Sequence, residues 1–402
     1  MRPTDLVGSF FVAGIAMLLA AAVAGVYAAT EPWAWGRWLA LHLAFVGGVS
    51  QLVLGASQFF AGAFLATERP GRRLIRAQLG AWNLGTILLA VGVPADSSPL
   101  LWLAAALLLS ALGLYHAGLS AMQRRSLQTV PWATRWYRAA AGLLAAGIVA
   151  GVLVAEGAAW SWGNLLAAHM SLNVAGWFGT AIVGTLHTFY PSLTRTALAL
   201  PRLQAPTFAA WVGGTLALAT GYGWGVDPLA IGGWIALAGA TALLCVNMAA
   251  SLRAAPRPLS LPARMLTAGQ LLLVAGLAVV VVGAIGSGPG EALAGTQRAA
   301  VGTLLVAGWI GLTVLGSLLH LLAVVVRVHD ASRPLPSPRP GIDSAVVVIA
   351  SLAALGLGAA QLGGLDMLHG VTLVVLMGIY LLLGVRVLSL ARQVLSVARP
   401  RV

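Results

Sequence analysis

Six of the seven histidines in this 402-residue sequence lie inside long apolar runs, where few other side chains could do chemistry. An imidazole nitrogen can ligate haem iron or copper. His42, His169 and His369 fall near one end of their runs, and His116, His187 and His320 near the other. His329 falls in a polar loop and reads as solvated. Residues 168–194, AHMSLNVAGWFGTAIVGTLHTFYPSLT, carry two of the six. On a straight α-helix their eighteen-residue spacing is five turns, which puts His169 and His187 on one face about 27 Å apart. Asn173, Gly176, Thr180 and Gly184 fall near the same line. A polar stripe of this kind is costly in lipid and should face protein, a cofactor or water. The separation prevents the two histidines from sharing one metal, so each needs partners from other helices.

Other residues limit the chemistry. Met170 beside His169, and Met367 near His369, could add soft ligands suited to Cu(I); packing is the plainer role for both. The single cysteine, Cys245, allows no internal disulfide and no CxxCH attachment of a c-type haem, and it reads as a small buried hydrophobe. No charged residue lies near the middle of an apolar run. Ion-coupled carriers usually place one there, so this pattern speaks against them. A membrane histidine can also serve only as a hydrogen-bonded packing residue, and that alternative stands for all six.

The elements that must position these side chains follow from composition. The chain is 59% hydrophobic and 8% charged, with a mean hydropathy of +0.92. A soluble domain would carry about 25% charged residues. The apolar runs are continuous rather than alternating, which excludes a β-barrel. The expected fold is an all-α polytopic transmembrane helical bundle of about twelve spans. These lie near residues 6–29, 38–66, 73–93, 99–122, 136–155, 163–191, 207–223, 228–252, 264–286, 299–327, 343–362 and 366–393. The sequence around Tyr27 faintly resembles a cleavage site, but the first run is too long for an ordinary signal peptide and is kept as a span.

The net charge of +13 comes from 23 basic residues, all arginine. Their placement argues for topology rather than nucleic-acid binding. Loops after the second, fourth, sixth, eighth and tenth spans, and the C-terminal end, hold nearly all of them, including Arg399 and Arg401. The odd-numbered loops hold only Arg37 and Arg298, with Glu31, Asp96, Glu156, Asp227, Glu291 and Asp366 there or beside them. Both termini are therefore expected in the cytoplasm. Trp33, Trp35 and Trp38 before the second span, and Trp160 and Trp162 before the sixth, suit an outer interfacial belt. Arginine, alanine and glycine usage suggests a GC-rich bacterial genome and a multi-pass protein of the bacterial cytoplasmic membrane, with the lipid bilayer as its surroundings.

An internal repeat appears in the second, sixth and tenth spans. Gly47 and Gly55, Gly176 and Gly184, and Gly308 and Gly316 share an eight-residue spacing. GWFGTAIVGTLH at 176–187 also matches GWIGLTVLGSLLH at 308–320. The repeat predicts one integral membrane domain built of three four-helix units, roughly 1–134, 135–262 and 263–402.

Twelve spans in three such units, with histidines on the second, sixth and tenth, resemble subunit I of the haem-copper oxidases and nitric oxide reductases. The sixth span also resembles haem-and-copper membrane proteins of the NnrS type and the membrane regions of actinobacterial chains labelled copper oxidases. The resemblance in architecture covers most of the chain; in sequence it is confined to the second, sixth and tenth spans. It implies haem b and/or copper held by some of His42, His169, His187 and His320. By position, His42 matches that family's low-spin haem ligand and His169 its sixth-helix copper ligand. The departures are equally specific. The seventh span has no histidine, the tenth lacks the family's H-x-H, and Asn173 stands where the family has tyrosine. A complete dioxygen-reducing centre is therefore not expected.

The function the resemblance implies is that of a haem- or copper-binding membrane protein in electron transfer or in copper or nitric oxide metabolism; were it an enzyme, it would be an oxidoreductase. Its partner would be a redox protein or multicopper protein on the outer side. The alternatives are a metal-free transporter or channel, and a cofactor-free subunit of a respiratory complex.

Overall fold

The computed structural model describes residues 3–31, 33–128, 132–335, 337 and 339–397. Arg399, Arg401 and the His329 side chain lie outside what is described. The architecture is an all-α polytopic bundle. In chain order its long helices are α1 (Pro3–Thr30), α2 (Gly36–Phe64), α3 (Arg72–Gly92) and α4 (Ser98–Arg125). Then come α5 (Trp132–Ala155), α6 (Leu165–Thr194), α7 (Gln204–Gly223) and α8 (Asp227–Ala254). The last four are α9 (Leu261–Ser287), α10 (Gly295–Val328), α11 (Pro340–Gly363) and α12 (Asp366–Val397). Among the described residues, eleven of these are long and apolar enough to cross a membrane. The exception is α7, whose four glycines and three threonines dilute its apolar character. Helices suit this environment because each satisfies its own backbone where water is absent.

Local chemistry sets the ends. Asn164 Oδ1 accepts from the Ala167 amide at 2.9 Å and caps α6; Ser260 Oγ does the same for α9. Pro99, Pro228, Pro262 and Pro340 sit in the first turns of α4, α8, α9 and α11, where their missing N–H costs nothing. Gly364, at φ +63°, ends α11 in the left-handed region.

The chain forms two compact units, Met1–Thr185 and Leu186–Val402, with the boundary inside α6. In the first unit α3 and α4 pack closely at Gly85 and Gly92. A Cβ at Gly85 would lie 2.9 Å from Leu108 and 3.1 Å from the Ala104 carbonyl. In the second unit α7 and α8 meet backbone to backbone, and a Cβ at Gly233 would lie 2.8 Å from the Gly214 carbonyl. At the arginine-rich end of that unit, buried Asp343 pairs with Arg386 at 3.0 Å, and its other oxygen accepts from the Arg339 amide. Arg264 also donates there to Ser344 and to the Pro340 carbonyl.

The three helices grouped by their glycine spacing share a further feature. Residues 43–49 of α2, 172–179 of α6 and 303–311 of α10 are π-helical. π-Helix is rare, is mostly a single turn and often marks functional sites. In each segment side chains donate to backbone carbonyls. Trp82 Nε1 bonds the Val46 carbonyl at 2.9 Å and Gln51 Nε2 the Gly47 carbonyl at 2.7 Å. Thr180 Oγ1 bonds the Ala175 carbonyl, and Tyr380 OH the Ala307 carbonyl. Such bonds compete with the i→i+4 ladder, which is one way helices depart from α geometry.

The π segments also correct a premise. Closing hydrogen bonds over five residues rather than four winds more residues into a turn. The eighteen-residue spacing therefore no longer returns His187 to the face of His169, since eight of the intervening residues are π-helical.

Candidate metal centre at the arginine-poor end of the first unit

His42 stands at the last α turn before the π segment of α2. Its Nδ1 lies 2.8 Å from the carbonyl of Trp38, one turn back, and its ring stacks on the Trp38 ring at 4.1 Å and 25°. His169, on the first turns of α6, sends Nδ1 to the carbonyl of Gly147 on α5, also at 2.8 Å. A carbonyl oxygen only accepts, so in each ring the proton sits on Nδ1 and the Nε2 lone pair is left. Metal-binding histidines commonly have this arrangement, because the second hydrogen bond fixes the tautomer and the ring plane.

The approach of His169 to α5 depends on missing side chains. A Cβ at Gly151 would lie 2.7 Å from His169 Cε1, and one at Gly147 would lie 2.8 Å from Asn173 Nδ2. These two glycines, one turn apart, form a bed for the ring and for Asn173. Asn173 Nδ2 in turn donates to the His169 carbonyl at 2.7 Å, where the π segment begins. Asn173 thus holds backbone.

Packing brings α2 and α6 together below the histidines. Trp177 Nε1 donates to Ser50 Oγ at 2.9 Å, and Phe45 meets Phe178 at 5.2 Å between ring centroids. His42 and His169 are both partly buried.

The other candidates lie elsewhere. His187 is buried and His320 partly buried, both in the second unit, where the His320 ring meets Phe189 edge-on at 5.4 Å. His116 is exposed on α4 and Met367 is 84% exposed on α12. Cys245 is a free, partly buried thiol. Among the described residues, no three of His, Cys, Asp and Glu gather into a metal-holding group.

Trp38, Gly147 and Gly151 were not singled out from sequence as site residues. Each had a signal: Trp38 is four residues before His42, and the two glycines have the small-xxx-small spacing of close helix contacts. No protein-family model matches the chain, and comparison with curated proteins finds no match.

Proposed function

We propose that the chain binds haem b or copper through His42 and His169 and serves electron transfer, or copper or nitric oxide metabolism, in the bacterial cytoplasmic membrane. The observation that carries this reading is a pair of imidazoles on α2 and α6, each with Nδ1 tied to a backbone carbonyl and Nε2 left as a donor atom. Haem fits this donor set better than copper. A porphyrin supplies four nitrogens itself and asks for one or two axial ligands. A copper ion would need a third ligand, for which Met170 is the neighbour in sequence.

Bound haem iron would supply one-electron exchange. The protein's part is to hold and orient. Trp38 fixes the His42 ring by stacking and through its carbonyl, and Gly147 fixes the His169 tautomer. The likeness to the haem-copper oxidase subunit rests on the twelve long helices and on the histidines of α2, α6 and α10. The chain would lie with both termini in the cytoplasm and the site facing an outer redox protein.

The test is the absorption spectrum and metal content of the purified protein. A Soret band lost in His42→Ala and His169→Ala supports the haem reading. Copper by elemental analysis, lost in the same variants, supports the copper reading. A colourless, metal-free protein overturns both and favours a metal-free transporter, channel or partner subunit.

A further inference from the structure

Two glutamines of the first unit keep amide atoms that no protein group answers. Gln58 on α2 and Gln78 on α3 are both fully buried. Gln58 Nε2 donates to the Leu54 carbonyl at 2.9 Å, but its Oε1 has no partner, and neither amide atom of Gln78 has one. Buried polar groups are almost always satisfied, by protein or by ordered water.

The packing puts both at one level, in the arginine-rich half of the unit. A Cβ at Gly118 would lie 3.6 Å from Leu74, one at Gly85 2.9 Å from Leu108, and one at Gly92 3.2 Å from the Leu101 amide. These contacts fix an antiparallel register in which Gln78 stands opposite Tyr115. Gln78 shares the buried stripe of Ile75, Trp82 and Gly85, while Tyr115 shares that of Leu108 and Gly118. Tyr115 OH donates to Ser57 Oγ at 2.7 Å, so Ser57 and its neighbour Gln58 lie at the same depth. Gln58 follows Gln51 by two turns, and Gln51 bonds Asn83 on α3, so Gln58 lies on the side of α2 that meets α3.

The open valences select the ligand. Gln58 Oε1 and Gln78 Oε1 need donors, and the two N–H bonds of Gln78 Nε2 need acceptors. Tyr115 and Ser57 have already committed their protons, to Ser57 and to the Leu54 carbonyl, and offer only lone pairs. A cation would answer only the oxygens, and an anion only Nε2. A small neutral molecule with both donors and acceptors answers all of them. We propose that Gln58, Gln78, Ser57 and Tyr115 form a membrane-embedded hydration site that holds a small cluster of water molecules.

The test is X-ray radiolytic hydroxyl-radical footprinting of the full-length protein, in which bound water oxidises the side chains beside it. Tyr115 has no exposed surface, and Tyr27, 55% exposed, is the reference. In the wild type, Tyr115 should be modified at a rate approaching that of Tyr27. The pair Gln58→Met and Gln78→Leu should lower that rate several-fold and leave Tyr27 unchanged. If the pair does not fold, Gln78→Met alone is compared with wild type in the same way. An unmodified Tyr115 in the wild type, or a rate that the variants do not alter, overturns the proposal. So does a rate that changes when sodium is replaced by choline, because the occupant is then a cation.

Discussion

His169 Nδ1 meets the Gly147 carbonyl at 2.8 Å, so the proton of this imidazole is held by the backbone of a neighbouring helix. A helical carbonyl is normally taken by its own ladder and shielded by side chains. Here the glycines at 147 and 151 leave the α5 surface open enough for the ring to reach it.

Gly151→Ala should therefore displace the His169 ring, since the added methyl carbon would lie 2.7 Å from Cε1. We expect overpacking to cost about 1–3 kcal/mol in thermal stability. Any Soret band or bound copper should fall several-fold in the same variant. Unchanged stability together with an unchanged spectrum would show that the ring does not rest on α5.

Adjacent glycines on α8 should respond with opposite signs. Gly233→Ala places a methyl group 2.8 Å from the Gly214 carbonyl of α7 and should destabilise by about 1–3 kcal/mol. A Cβ at Gly232 meets nothing within 4 Å, and Gly232→Ala should stabilise by about 0.5–1 kcal/mol through the entropy it removes from the unfolded chain. Thermal melts of the two variants in one detergent check the contrast.

Ser50→Ala should leave the Trp177 indole N–H without its acceptor in a buried position. The expected cost is about 1–3 kcal/mol. Trp177→Phe adds a cavity but removes the orphaned donor, so the double variant should be less destabilised than the sum of the singles. Additive losses would mean that the bond carries no coupling.

Asp343→Ala breaks the ion pair with Arg386 and removes the acceptor for the Arg339 amide. The Arg386 side chain keeps 30% exposure, which softens the penalty of a stranded charge. We expect a loss of about 1–3 kcal/mol, below the range for fully buried pairs. Adding Arg386→Met should recover part of it. A double variant as unstable as the sum of the singles would rule out the pair as the cause.

Much of the helical layout is legible in sequence because apolar length and arginine placement each mark the spans independently. The run expected at 228–252 forms a helix at Asp227–Ala254, and that at 343–362 forms one at Pro340–Gly363. The π segments were not legible, because hydropathy around the full circumference of a buried helix has no phase to lose. Depth along the spans set His42 and His169 at the same end. Where each ring proton goes depends on backbone carbonyls, one of them Gly147 on another helix, and no pattern of side chains states that. The open amides of Gln58 and Gln78 were hidden for the same reason, since a glutamine in an apolar run reads alike whether or not it has a partner.

The π segment of α6 separates two properties of His169 that a uniform helix would tie together. Its neighbours along the chain give the histidine its address near the membrane surface. The extra winding at 172–179 sets its heading relative to everything downstream. Deleting one residue inside that segment and restoring α geometry would turn the ring by about 100° against the rest of the helix and leave its sequence neighbours untouched. A single-residue insertion or deletion in this segment would thus aim the same imidazole at different partners, with no substitution at the histidine itself.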